Sequence, residues 1–258
     1  MKKITDIFEL NKLTSSHFGK GYVTNYFISK DNAEKYIADG KMYFETVGKS
    51  LFIIRRREGF STLYYCMSCD EVPDFGFLDE TTVTETAFRT KDEALINADS
   101  LMCDCGFERE FFRKRMVFTN TDTDNVELPT KVRYADLSEL DFVYGLLENS
   151  FSHMTGCLPT LDELSENIKN SEIILHEDGG VLHYVHGRAS FELRHLCVDE
   201  KMRGHGISGE LVRFYNGIVP KKSLVWVREG YLPAEKTYEN NGYTADGMKS
   251  SVLIYKKG

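Results

Sequence analysis

The 258 residues are 41% hydrophobic and 28% charged, a soluble globular composition with room for one large domain or two of common size. A net charge of −8 argues against a general nucleic-acid surface, which needs a basic footprint, and leaves room for a local basic patch that binds one phosphorylated ligand. No apolar stretch approaches the ~20 residues that span a bilayer, and no apolar core follows the lysines of "MKKITDIFELNKL", so no signal or membrane anchor is read and a cytoplasmic location is expected.

In chain order, "KMYFETVGKSLFIIRRREGFSTLYYCMSC" (41–69) predicts a meander of two or three strands. "DEALINADSLMCDCGFEREFFRKRMVF" (92–118) then predicts a helix, a glycine, an aromatic residue and a strand. The polar, aperiodic "TNTDTDNVELPTK" (119–131) reads as a linker and places a domain boundary at about 119–130. Of the six cysteines, Cys66 and Cys69 form a C-x-x-C and Cys103 and Cys105 a C-x-C, a count that would suit one structural zinc. Their strand and helix settings read instead as reduced, packed thiols, and no metal is expected.

The second half opens on a strand, "KVRYA", and Asp136 caps a helix with Leu140, Val143, Leu147 and Phe151 on one face. Thr160 and Glu163 form a capping box for a second helix, ending at about Lys169. "SEIILHE" and "VLHYVHG" flank the turn Asp178-Gly179-Gly180 as a hairpin, and "FELRHLCV" adds a further strand. The helix "SGELVRFYNGIV", the strand "SLVWVRE", the helix "PAEKTYENNG" and the strand "SSVLIYKK" complete the order β-α-α-β-β-β-α-β-α-β. That is an α/β mixed sheet with helices on both faces. Gly106-Phe107 stands after its helix as Gly242-Tyr243 does after the last one, a weak repeat that suggests two domains of one fold in tandem.

Between the strand ending at Val198 and the next helix lies Arg203-Gly204-His205-Gly206-Ile207-Ser208-Gly209. N–H groups at a helix start have no intrahelical partners and carry the positive end of its dipole, and glycine lets an anion approach them. With Lys201, Arg203 and His205 beside it, the loop reads as a pyrophosphate cradle. No lysine follows the glycines, as a mononucleotide P-loop requires. The preceding meander also disfavours a dinucleotide fold. Glu210 counts against the cradle unless its carboxylate points away.

These residues resemble the central R-x-x-G-x-G/A motif of the GNAT superfamily of acyl-CoA-dependent N-acetyltransferases, with Ser208 at the last position. Ala234, Tyr238, Gly242 and Tyr243 match the family's later N-x-x-A-x-x-x-Y-x-x-x-G-F motif, Tyr231 standing at the asparagine. The resemblance covers about 131–258 and implies a GNAT acetyltransferase domain there, with 1–120 a degenerate GNAT-like domain in tandem. It further implies that N–H groups from His205 to Gly209 hold the coenzyme A pyrophosphate. Leu196, Cys197 and Val198 would pair with the pantetheine arm, Ala234 would line the same site, and Tyr238 would protonate the leaving sulfur.

Glu192 occupies a position where some members carry a glutamate base; the alternative is an ion pair with Arg194 or a substrate cation. On a regular strand Glu192 and Arg194 share a face with Leu196 and Val198, which puts His195 opposite as a packed histidine. Cys197 reads as core, and Glu229 is a weaker candidate for a substrate ammonium. In the first half "CDEVPDFGFLDE" is acidic where a phosphate needs donors, and Met102 stands where the second half has Tyr238. The expected function is transfer of acetyl from acetyl-CoA to a primary amine of a small molecule or peptide, by a monomer or homodimer. A non-catalytic acetyl-CoA sensor and a two-domain aminoacyl-transferase are the alternatives.

Overall fold

The computed structural model describes residues 1–119, 128–187, 190–218 and 222–257, so most of the predicted linker, at 120–127, lies outside the described residues. The chain divides into two compact units, Met1–Phe112 with Met248–Gly258 and Arg113–Gly247.

The first unit begins with β1 (Lys2–Lys3), α1 (Ile7–Ser15), β2 (Tyr22–Thr24) and α2 (Lys30–Ala38). Asp6 and Ser29 start α1 and α2, each side chain accepting a backbone N–H that the helix leaves unpaired. The predicted meander follows as β3 (Met42–Val47), β4 (Ser50–Arg56) and β5 (Ser61–Ser68), antiparallel throughout. β6 (Thr82–Arg89) runs parallel to β5, but only Ser61 and Thr62 pair, with Thr82 and Val83. α3 (Glu93–Asp104) leads through Gly106, at φ +102°, into β7 (Phe107–Thr119). Alternation along β4 sends Phe52 and Ile54 into a cluster with Ala98 and Met102 of α3. Leu51 and Ile53 enter another with Leu10 of α1 and Ala33 of α2, so helices cover both faces.

The second unit continues with β8 (Val132–Tyr134), a 3-10 turn capped by Asp136, α4 (Leu140–Ser150) and α5 (Leu161–Lys169). The Thr160–Glu163 capping box forms in both directions. β9 (Ile173–His176), β10 (Gly180–His186) and β11 (Phe191–Val198) extend the sheet antiparallel from β8. α6 (Ile207–Ile218), β12 (Lys222–Arg228), α7 (Leu232–Glu239) and β13 (Thr244–Tyr255) complete the chain. Ile207, Leu211, Val212 and Tyr215 of α6 pack on Leu182, Tyr184 and Leu193. The other face buries Val143 and Leu147 of α4 and Leu164 and Ile168 of α5 against Ile173 and Val181.

The expected halves, 1–120 and 131–258, are displaced by an exchange of closing strands. β12 pairs with residues 113–119 of β7, whereas β6 pairs with residues 248–255 of β13. Both strands are long, 13 and 12 residues, and each divides its length between the two units. Sequence patterns mark a strand but not its partner, so the exchange was invisible before the structure.

Each unit repeats one plan: a short edge strand, two helices, an antiparallel meander, a parallel partner, a helix and a closing strand. Two differences stand out. The second unit has α6 between its parallel strands, where the first has residues 69–81 without a helix, and only the first has β2.

Candidate active site

Among the described residues β11 and β12 pair over three positions, Phe191–Leu193 with Ser223–Val225. Beyond Leu193 the strands part, and Arg194–Val198 have no strand neighbour on that side among the described residues. The chain then turns through Gly204 and Gly206, both at φ +85°, into α6. A Cβ added at either glycine would meet nothing within 4 Å, so the space over the loop is open and the positive φ is what demands glycine.

Glu210 donates its N–H to Gly206, 3.1 Å. The N–H groups from His205 to Gly209 have no partner among the described residues. Lys201, Arg203 and His205 are exposed around them, and Arg203 Nε donates to the Val198 carbonyl at 3.4 Å. Ile207 is buried and anchors the helix start to the sheet, and Ser208 and Thr237 hydroxyls lie 3.5 Å apart, joining α6 to α7. The loop therefore presents a row of unpaired donors at a helix N-terminus.

Glu210 does not spoil it. Asp178 N–H donates to Nδ1 of buried His176, so Nε2 carries the proton and gives it to Glu210 Oε2 at 3.1 Å, tying the carboxylate back toward β9. Sequence reading also missed Arg213, whose guanidinium reaches back one turn to within 3.4 Å of where a Gly209 Cβ would stand. The signal was there: residues four apart on a helix are neighbours.

A bulge in β11 corrects the predicted faces. His183 pairs with His195 and Tyr184 with Leu193, so Arg194 is the extra residue. Phe191 and Leu193, not Glu192 and Arg194, join Leu196 and Val198 on the α6 side. Glu192 accordingly shares the opposite face with His195 and Cys197, and its Oε1 forms an ion pair with Arg194 Nε at 3.2 Å.

His195 is buried edge-on against Phe151 and gives Nε2–H to the Gly156 carbonyl at 2.7 Å. Burial, opposed by that bond, lowers its pKa to about 4. A neutral His195 protonated on Nε2 accepts at Nδ1, so His183 must donate from its own Nδ1 across 3.0 Å. Both nitrogens of His195 are thus committed, which removes it as a free base.

Tyr238 of α7 is buried against Tyr243, their rings 5.4 Å apart. Burial first, then Tyr243 and Cys197, raise its pKa far above the ordinary phenol value, so it keeps its proton at neutral pH. Ala234, one turn earlier, packs on the α6 cluster. β7 supplies three cations here: Arg113 donates to the Thr155 carbonyl, Lys114 pairs with Glu235 of α7, and Arg115 with Asp246.

No family model matches the sequence, and no curated protein matches it. Solved structures do. The chain is similar to a GCN5-related N-acetyltransferase from Sphaerobacter thermophilus, at 14% identity over 88% of this chain and 86% of that one, TM-score 0.55. One from Kribbella flavida aligns at 12% identity over 84% and 91%, TM-score 0.57. An acetyltransferase from the GNAT family of Colwellia psychrerythraea aligns at 15% identity over 99% of both chains, TM-score 0.54. The chain has the GNAT fold.

Within this GNAT fold the cysteines are not all packed as expected, since Cys69 and Cys157 are exposed and Cys103 and Cys105 only partly buried. All six are free thiols, with Cys66 and Cys197 buried, and burial pushes Cys197 up to about 12, so it stays a thiol in the core. No three His, Cys, Asp or Glu side chains among the described residues converge as a metal site would require. No helix among them is long and apolar enough to cross a membrane.

Proposed function

We propose that the chain is an acyl-CoA-dependent N-acyltransferase that moves an acetyl group from acetyl-CoA to a primary amine of a small molecule or peptide. One observation carries this reading: the edge of β11 beyond Leu193 has no strand neighbour on the β12 side among the described residues, and the loop that follows it into α6 presents the unpaired N–H groups of His205–Gly209. An acyl-CoA needs both, an unpaired strand edge for its amide-bearing arm and an anion cradle for its pyrophosphate. The fit is good, since the glycines leave the cradle open and Glu210 is held away by His176.

When bound, the thioester supplies the acyl group and a thiolate leaving group. The N–H groups on the open edge of Leu196–Val198 are the donors available to the thioester oxygen as negative charge develops there. Glu192 is the base in this proposal, taking the ammonium proton through water, because His195 has no nitrogen to spare. Tyr238, held as the neutral phenol, gives its proton to the departing sulfur.

The test is calorimetry with coenzyme A and a thiol-release assay with acetyl-CoA across an amine panel. Gly206→Glu should abolish coenzyme A binding. Tyr238→Phe should keep binding and lower kcat by about 100-fold, the usual scale of one lost proton transfer. Unchanged binding and turnover in both variants would sink the assignment. Binding without thiol release from any amine would favour an acetyl-CoA sensor.

A further inference from the structure

The first unit has its own pair of parting parallel strands, and its own chain occupies the gap. β5 and β6 separate after Thr62 and Val83. Into the opening comes the segment between α1 and α2. β2 pairs antiparallel with the free edge of β5, Tyr22 with Ser68, Val23 with Met67 and Thr24 with Cys66. One residue further on, at the fork, sits Asn25, 7% exposed.

Its carboxamide bridges the two walls. Oδ1 accepts the Tyr65 N–H of β5 at 2.7 Å, while Nδ2 donates to Thr84 Oγ1 at 2.9 Å and to the Glu85 carbonyl of β6 at 3.1 Å. Thr24 Oγ1 donates to the Tyr65 carbonyl at 2.6 Å, and Cys69 N–H reaches the Gly21 carbonyl at 2.9 Å. The β5 edge therefore finds partners in its own chain from Tyr65 to Cys69. The matching β11 edge, Arg194–Val198, has no strand beside it on the β12 side among the described residues.

We propose that Tyr22–Tyr26 is a built-in occupant of a second acyl-CoA gap, with the Asn25 carboxamide standing where a ligand amide would bind. This rests on the acyl-CoA reading of the second unit. The first unit is then a GNAT-like unit closed by its own chain, and the protein takes one acyl-CoA. The lack of a helix at 69–81 fits this, because a closed gap needs no pyrophosphate cradle.

Calorimetry of the unaltered protein with coenzyme A should give one site per chain. No binding would remove the proposed function yet leave the Asn25 measurements intact. Asn25→Gly should lower Tm by roughly 6–12 °C, because it leaves buried strand groups unpaired. It should also speed amide exchange at Leu63–Ser68 at least tenfold, with β9–β11 unchanged. Thr24→Val, a milder loosening, should do the same to a smaller degree. Saturating pantetheine, which carries amides and no phosphate, should restore roughly 3 °C to Asn25→Gly and nothing to the unaltered protein. Two coenzyme A sites per chain, unchanged exchange in Asn25→Gly, or pantetheine without effect on that variant would each overturn the proposal.

Discussion

The buried histidine pair shows how much one residue can hold. His195 fastens the α4–α5 connection through Gly156, and Arg113 fastens it one residue earlier through Thr155. Protonating His195 would make its Nδ1 a donor across the 3.0 Å contact and force His183 to move its own proton to a buried Nε2 that has no partner among the described residues. Its folded pKa, about 4, lies below the unfolded value near 6.5, so its stabilisation is complete above pH 6.5 and lost as pH falls toward 4. We expect a loss of roughly 3 kcal/mol over that window in urea titrations. His195→Asn, less stable at pH 7, should show a flatter profile. A packed His195 is expected from a regular strand, and the bulge at Arg194 removes that ground; its burial follows from partners that only register and the α4–α5 connection decide.

Among the elements, the placement of α6 decides the site. Gly180 begins β10 directly beneath this helix, where an added Cβ would lie 2.6 Å from Ile207 Cγ2 and 2.9 Å from Leu211 Cδ1. Its φ is ordinary, so space alone demands glycine there. Gly180→Ala should push the N-terminus of α6 off the sheet, cost about 1–3 kcal/mol by overpacking, and weaken coenzyme A binding while leaving Tyr238 in place. Thermal melts and calorimetry check this together. An unchanged affinity would mean that the cradle does not depend on the seating of α6. The loop of unpaired donors was legible because its glycines and cations are contiguous in the chain. The bulge at Arg194 was not, since an extra residue in a strand appears only against its partner.

For the molecule as a whole, exchange of the closing strands makes neither sequence half self-sufficient. Residues 131–258 alone lack 113–119 of β7, which covers the edge of β12 and brings Arg113, Lys114 and Arg115 to the site. Residues 1–120 alone lack 248–255 of β13, the partner of β6. Each fragment should be unfolded or aggregated by circular dichroism, since a bare edge strand is a template for association. Co-expression should restore a soluble complex. A folded, coenzyme A-binding 131–258 fragment would show that β7 is dispensable.

Local features of this protein were determined by sequence alone: the helix starts at Asp136 and Thr160, the hairpin at Gly179-Gly180, and the donor loop at 203–209. Each depends on residues a few positions apart, whose hydrogen bonding and φ preferences act within one turn. Tertiary structure decided what depends on distant partners. It turned Glu192 to the face of His195, tied Glu210 to His176, put Asn25 between β5 and β6, and gave each unit the other half's closing strand. Strand pairing carries no address in the chain beyond alternation, so only packing of the folded whole could assign it.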